Sequence, residues 1–275
     1  MQKLLTYLIL IVLLASCEEL SEHTLQTGNH DFIVVDGMIT NEVKFHTITL
    51  SKPVSQLNEK PQPVSGATLL VSSELQVYTF HEDSTEAGRY ISDIQFTGIR
   101  NRTYSLLVTS GSDVYSAKAV LEPPVLLTEF IPLQYVKNTD NDMYRIAKIP
   151  SSYNPANYAM FEIMLDWSTA PGYETKSPDS CKAKLYYYTL PTIDVSEVFA
   201  PGAEKITFPA GTIMTQRRYS LTYEHALFFR AMLLETTWSG GYFNTAPANI
   251  PTNMSEGAAG FFGACGVMEK LEIVE

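Results

Sequence analysis

The chain has 275 residues, with 30 Asp and Glu against 19 Lys and Arg and a formal net charge of −11. This acidic balance argues against nucleic acid as a partner and against attachment to anionic lipid by charge, because both require clustered basic residues. The length allows a large hydrophobic core. The 16 Tyr and 13 Phe against 5 His favour strands and aromatic packing over metal chemistry.

The N-terminus has the layout of an export signal. Lys3 is followed by the apolar run 4–14, which is too short to span a bilayer, and by small residues ahead of Cys17. Leu14-Ala15-Ser16-Cys17 fits a bacterial lipobox. We therefore expect a signal peptide over residues 1–16 and a lipid on the Cys17 thiol, which would fasten the protein to a membrane. An ordinary secretory signal with an incidental cysteine is the alternative.

An acidic cluster follows Cys17 at once, with Glu18, Glu19 and Glu22 inside a polar tether over residues 17–30. The cluster resembles the surface-export signal of Bacteroidota lipoproteins. That resemblance implies an outer-membrane protein that faces the cell exterior. The alternative is a solvated tether on a protein that stays in the periplasmic leaflet.

Short strands with turn residues between them fill the first part of the body. Residues 32–39 are β-rich, residues 45–50 alternate, and further strand signals come at 68–71, 75–80, 103–108 and 114–120. Pro123-Pro124 closes this unit. The fold class is therefore mainly β, with an Ig-like or transthyretin-like sandwich over residues 31–122.

The second part, residues 125–275, predicts a β-rich domain with one packed α-helix. Lys182–Leu190 is a strong strand pattern, and residues 157–167 form another. The helix is expected at about 223–238, with Thr222 as its N-cap and Gly240 near its end. Apolar residues cover most of its circumference, so it should pack on more than one side, across a sheet.

Two cysteines remain in the body, Cys181 and Cys265. An exported protein meets conditions in which disulfides form, so the two cysteines are a candidate pair. Two separate buried thiols are the equal alternative, because the sequence does not place their Cα atoms within bonding reach. Neither cysteine has a CxxC motif or a nearby histidine.

Aromatic clusters supply the candidate ligand contacts. Alternation places Tyr187 on the strand face opposite Tyr186 and Tyr188, and Trp238 lies near Tyr242 beside a glycine pair. Tyr187, Trp238 and Tyr242 are therefore candidates for stacking on a sugar or peptide. The alternative, that each of the three is a core aromatic residue of a β-rich protein, is favoured. His225 is expected to be a polar residue in the first helical turn rather than a general base.

No recognised catalytic motif, metal-ligand spacing or nucleotide-binding glycine pattern occurs in the sequence. We therefore expect no catalytic residues, no metal and no cofactor. An enzyme of unknown type is the third of the functional alternatives.

Several short motifs come in a recognisable order. The order is the lipobox, Val34 to Asn41, Ile48-Thr49-Leu50-Ser51, Pro63 to Ala67, Gly88-Arg89-Tyr90, the late helix, and Ala248-Asn249-Ile250 ahead of Gly260-Phe261-Phe262-Gly263. Over nearly the whole mature chain this order resembles the Bacteroidota lipoprotein family labelled domain of unknown function 4249. Residues 251–259 depart from the family's usual ending.

The resemblance implies little chemistry. It supplies no catalytic residues, and it implies an accessory or ligand-binding role beside a TonB-dependent transporter of the outer membrane. The expected function is therefore a surface-exposed, non-enzymatic lipoprotein, with a surface adhesin or assembly component as the main alternative.

Overall fold

The structure is a computed structural model that describes residues 32–54, 59–123, 135–139, 141–147, 152–192, 204–235 and 250–275. Strands dominate these residues. Eight of them form the first sheet: β1 (Ile33–Thr40), β2 (Thr47–Ser51), β3 (Thr68–Ser72), β4 (Val77–Glu82), β5 (Arg89–Ser92), β6 (Thr103–Ser110), β7 (Asp113–Val120) and β15 (Ala258–Cys265).

The first sheet nearly closes on itself around its own core. Its order is β15-β1-β2-β5-β4-β3-β6-β7, with β15 parallel to β1 and the other neighbours antiparallel. Bridges between Ala117 and Met254 and between Glu122 and Cys265 join its two edges. All eight strands contribute to the enclosed core, including Val35, Ile48, Leu69, Phe80, Tyr90, Leu106, Ala117 and Phe262.

The second sheet has the order β10-β12-β11-β14-β16. Its strands are β10 (Ser152–Tyr153), β11 (Ala159–Asp166), β12 (Lys182–Leu190), β14 (Ile213–Ser220) and β16 (Val267–Ile273). On one face Phe161, Ile163 and Leu165 are buried under a three-stranded sheet of β8 (Tyr135–Lys137), β9 (Met143–Ile146) and β13 (Thr207–Pro209). The opposite face carries Met160, Glu162 and Tyr219, which line a cleft together with residues of the first sheet.

A single α-helix, α1 (Tyr223–Glu235), occurs in the described part of the chain, together with a short 3₁₀ helix at Pro178–Cys181. The backbone N–H of His225 donates to Thr222 Oγ1 at 3.2 Å, so Thr222 caps the helix. Leu233 and Ala226 pack with Cys265 of β15 and Leu190 of β12. No helix among the described residues is long and apolar enough to cross a bilayer.

The predicted fold class, mainly β with one packed helix, is confirmed. The helix was expected at about 223–238 and is observed to Glu235, and residues 236–238 lie outside the described ranges. Sheet membership does not follow the boundary expected near residues 122–125, because β15 belongs to the first sheet. The division into two domains stays a prediction.

Cys181 and Cys265 do not form the candidate disulfide. Both thiols are free and buried. Cys181 directly precedes β12, whose first residue lies opposite Asp166 at one end of β11. Cys265 lies two residues before Val267, beside Tyr219 and Met160 at the other end. Six residues of strand separate these ends by roughly 20 Å, well beyond disulfide reach.

Candidate functional site

The candidate site is a cleft between the two larger sheets, which we call the inter-sheet cleft. It encloses about 240 Å³ and is lined by Asp36, Gly37, Met38, Thr40, Lys44, Thr47, Thr49, Met160, Glu162, Tyr186 and Tyr219. In β1 the core side chains alternate with Asp36 and Met38, so these two leave the first sheet on its outer face. On the other side of the cleft lie Met160 and Glu162 of β11, Tyr186 of β12 and Tyr219 of β14.

A row of polar side chains crosses the second sheet at the cleft. Strand register places Glu162 of β11 opposite Tyr186 of β12 and Arg217 of β14, and it places Arg217 opposite Glu269 of β16. Directly opposed residues on one face of antiparallel strands lie about 5 Å apart, which is close enough for these side chains to interact. The sheet therefore assembles a polar row from four segments that are distant in sequence.

Glu162 is the centre of this row. Its Oε2 accepts a hydrogen bond from the Tyr219 hydroxyl at 2.9 Å and lies 3.4 Å from Arg217 Nη1. Its Oε1 accepts from the Tyr186 hydroxyl at 3.1 Å and lies 3.0 Å from Lys184 Nζ. Burial acts to raise the pKa of the Glu162 carboxyl, but the hydrogen bonds from the lysine and the two tyrosines outweigh it and lower that pKa.

Arg217 links the second sheet to the turn that follows β1. Its guanidinium pairs with Glu42, and Lys44 Nζ contacts the other oxygen of Glu42 at 2.8 Å. Burial opposes the charge of Arg217, yet the surrounding anionic and phenolic groups raise its pKa above the ordinary value. The charges of the cleft wall are therefore compensated within the protein.

Asp36 differs from the other charged residues of the cleft. No described residue donates a hydrogen bond to its carboxylate. The side chain keeps an exposed surface, but the protein around it displaces enough water to raise its pKa. Asp36 lies opposite Thr49 of β2, and Thr47 is on the same face. The cleft thus offers one unpaired carboxylate beside threonine hydroxyls.

The structure places the predicted stacking residue Tyr187 elsewhere. Tyr187 lies opposite Phe161, on the face that forms the core, and it is 4% exposed. Its hydroxyl donates to Glu204 Oε2 at 2.7 Å, and burial is the main cause of its raised pKa. The interpretation of Tyr187 as an accessible stacking residue was wrong, because the neighbour that faces the cleft is Tyr186.

His225 lies in the first turn of α1, as expected, but its side chain is buried. It is 4% exposed and lies between two aromatic rings, with ring centroids 4.7 Å from Phe229 and 4.4 Å from Phe261. Burial lowers its pKa to about 3. The ring therefore stays neutral and packs as an aromatic side chain.

The remaining predicted site residues lie outside the described ranges. These are the lipidation residue Cys17, the acidic cluster Glu18, Glu19 and Glu22, and the aromatic residues Trp238 and Tyr242. They stay predictions. Among the described residues, no group of three or more His, Cys, Asp or Glu side chains could hold a metal ion.

Sequence reasoning missed Asp36 and Arg217 as site residues. The available signal at Asp36 was one acidic residue inside the apolar strand 33–39, which marks a strand with a second, polar face. No comparable signal marked Arg217, because its importance depends on strand pairing across the second sheet.

One family model matches residues 19–271, and its description is domain of unknown function (DUF4249). Among the curated proteins, none matches the chain. The match covers most of the chain. The chain therefore belongs to the DUF4249 family.

Proposed function

We propose that this chain is a lipid-anchored, non-enzymatic binding protein of the outer membrane that faces the cell exterior and serves a TonB-dependent transporter. The lipobox at Cys17 and the acidic residues that follow it support the anchor and the location. The inter-sheet cleft supports a binding role.

The observation that carries the binding role is the unpaired Asp36 carboxylate in a cleft whose other charges are compensated. A carboxylate only accepts hydrogen bonds, and nearby threonine hydroxyls both donate and accept. The cleft therefore suits a small polar ligand that carries hydroxyl groups or an amine.

Binding is favoured over catalysis by the state of Glu162. A general acid or base works best when its pKa lies near the operating pH. Glu162 is instead held ionised, and both of its oxygens are occupied by tyrosine and cationic partners. It is built to stabilise the cleft wall rather than to exchange protons with a substrate.

The transporter partnership is tested by isolating the full, lipidated chain from outer membranes in mild detergent and identifying co-purifying proteins by mass spectrometry. We expect a stoichiometric TonB-dependent transporter. The Cys17→Ser variant serves as the control, since it should lose both the membrane fraction and the transporter. Isolation of the chain without a transporter contradicts the partnership, and retention on host or matrix material would then favour the adhesin alternative.

The binding role is tested by thermal-shift screening of the detergent-solubilised chain against monosaccharides, oligosaccharides, short peptides and small amines. A ligand of the cleft should stabilise the wild type and fail to stabilise Asp36→Asn. Asp113→Asn is the matched control, because Asp113 lies at an exposed hairpin end away from the cleft. Equal stabilisation of both variants would place the ligand elsewhere.

A further inference from the structure

Beyond Val267, no described residue pairs with the outer edge of β16. This strand is the last in the order of the second sheet, and in the described part of the chain its partner strand is β14. Just beyond its end, Val274 exchanges backbone hydrogen bonds with Thr212 and Gly211 on the β14 side. Just before its start, the Gly266 carbonyl accepts from Ser220 on the same side. Alternate residues direct their N–H and C=O groups to the same side, so the odd-numbered residues of β16 point theirs away from the sheet.

The start of this edge is closed by a side chain. The Val267 N–H donates to Asn41 Oδ1 at 2.6 Å, and Asn41 Nδ2 donates to the Val267 carbonyl at 3.3 Å. The asparagine amide takes the place of a partner strand at this one position. Beyond it, no described residue bonds to the outward backbone groups of Glu269, Leu271 and Ile273. Leu271 and Ile273 are also 61% and 58% exposed.

An unpaired edge with exposed apolar side chains is a template for another strand. If that strand is β16 of a second copy related by a two-fold axis, it runs antiparallel and keeps each side chain on its own face. Odd residues then pair only with odd residues, and even residues pair only with even ones. The possible registers are therefore few, and charge distinguishes between them.

Centring the pair on Lys270 sets lysine against lysine, and centring it on Glu272 sets glutamate against glutamate. Lys270 Nζ already lies 2.7 Å from Glu272 Oε2 of its own strand. Centring the pair on Leu271 also sets Lys270 opposite Glu272 of the second copy, once on each side of the axis, so opposite charges alternate across it. Opposite charges stabilise a directly opposed pair and like charges destabilise it. In this register Leu271 meets Leu271 on the other face, and Glu269 meets Ile273. Glu269, Leu271 and Ile273 of each copy direct their backbone N–H and C=O groups towards the other copy.

We propose that the chain forms a two-fold homodimer by antiparallel pairing of β16 with the same strand of a second copy, with Leu271 opposite Leu271. The two five-stranded sheets then become one continuous sheet. The Asn41 amide limits the pairing to the part of β16 beyond Val267. The inference rests on this edge and not on the residues that line the inter-sheet cleft, so it does not depend on the proposed ligand or transporter.

The test is cysteine cross-linking of the full chain in intact membranes. In the proposed register the Cα atoms of the two Leu271 residues lie about 5.5 Å apart, within disulfide reach. Leu271→Cys should therefore give a disulfide-linked dimer on a non-reducing gel after mild oxidation. Leu75→Cys is the matched control, since Leu75 is 76% exposed but lies between β3 and β4. Cys181 and Cys265 are buried and add little background.

Charge exchange tests the register. In the Leu271→Cys background, Lys270→Glu and Glu272→Lys should each lower the cross-linked fraction about tenfold by creating two like-charge pairs. The double exchange should restore the cross-linked fraction. Thermal unfolding confirms that each variant is folded.

Three results would overturn the homodimer: no dimer from Leu271→Cys, as much dimer from Leu75→Cys, or a cross-link to a different protein. Single charge variants that cross-link as well as the parent would overturn the register.

Discussion

Glu162 is the residue on which the polar contacts of the inter-sheet cleft converge. Glu162 is 6% exposed, and its carboxylate has four partners from two strands, β12 and β14. Taking a charge out of water is costly, and the partners offset that cost only while the carboxylate is ionised. The same residue therefore holds Arg217 in place and joins the second sheet to the turn after β1.

Replacing the Glu162 carboxylate with a neutral group should destabilise the fold. Glu162→Gln keeps the shape but leaves Arg217 and Lys184 without a full counter-charge, so we expect a loss of about 2–4 kcal/mol in the free energy of unfolding. Glu269→Gln is the matched control, because Glu269 pairs with the same arginine at 3.4 Å but is 54% exposed. It should cost less than about 1 kcal/mol. Equal losses in urea titration would contradict this account.

At the residue scale, the sequence shows that a strand is partly buried better than it shows which face of that strand lies in the core. Tyr186, Tyr187 and Tyr188 are adjacent and chemically alike. Which of them faces the cleft depends on the pairing of β12 with β11, where Phe161 or Glu162 lies opposite. Pairing depends on residues far along the chain, so alternation alone could not choose between the two faces.

At the scale of elements, local patterns anticipated the hairpin strands and the helix but not the position of β15. β2, β6 and β7 alternate and are followed or preceded by turn residues, which is a local signal. β15 pairs in parallel with β1, and more than two hundred residues separate the two strands. Parallel pairing of distant segments leaves no turn signature, so sequence reasoning had no means to join them.

The pairing of β1 with β15 depends on Gly260. It lies opposite Val35 with a φ of +86°, and a Cβ there would overlap the Val35 carbonyl oxygen and lie 2.9 Å from its carbonyl carbon. Gly260→Ala should therefore separate the two strands and cost about 3 kcal/mol or more.

Gly111→Ala separates backbone strain from crowding. Gly111 also has a positive φ, +61°, but a Cβ there has no neighbour within 4 Å. Its substitution should cost only about 1–2 kcal/mol of backbone strain. Urea unfolding of both variants measures the difference, and equal losses would mean that the close approach of β1 adds nothing to the requirement for glycine.

At the scale of the whole molecule, two buried histidines make stability depend on pH. His46 is fully buried, with Nε2 3.0 Å from the Phe96 carbonyl oxygen, and burial lowers its pKa to about 4 despite that hydrogen bond. His225 lies between two phenylalanine rings, and burial lowers its pKa to about 3. His46 lies just before β2 and His225 lies in α1, and they contact different residues, so their effects should add.

Stability should fall as the pH drops from 7 to 5. An unfolded histidine has a pKa of about 6.5, so below that pH the unfolded chain binds protons at these histidines and the folded chain does not. Protonation therefore favours the unfolded state. Each of the two histidines then costs about 2 kcal/mol at pH 5, and the loss continues toward their folded pKa values. Urea unfolding at pH 7, 6 and 5 measures the slope of the free energy of unfolding against pH. This range lies above that in which most carboxyls titrate.

His46→Gln and His225→Leu should each remove about half of the slope, even where the variant is less stable at pH 7. A slope that survives the double variant His46→Gln/His225→Leu would assign the pH dependence to other groups. A slope that disappears would make burial of these two rings the main acid-sensitive feature of the fold between pH 7 and 5.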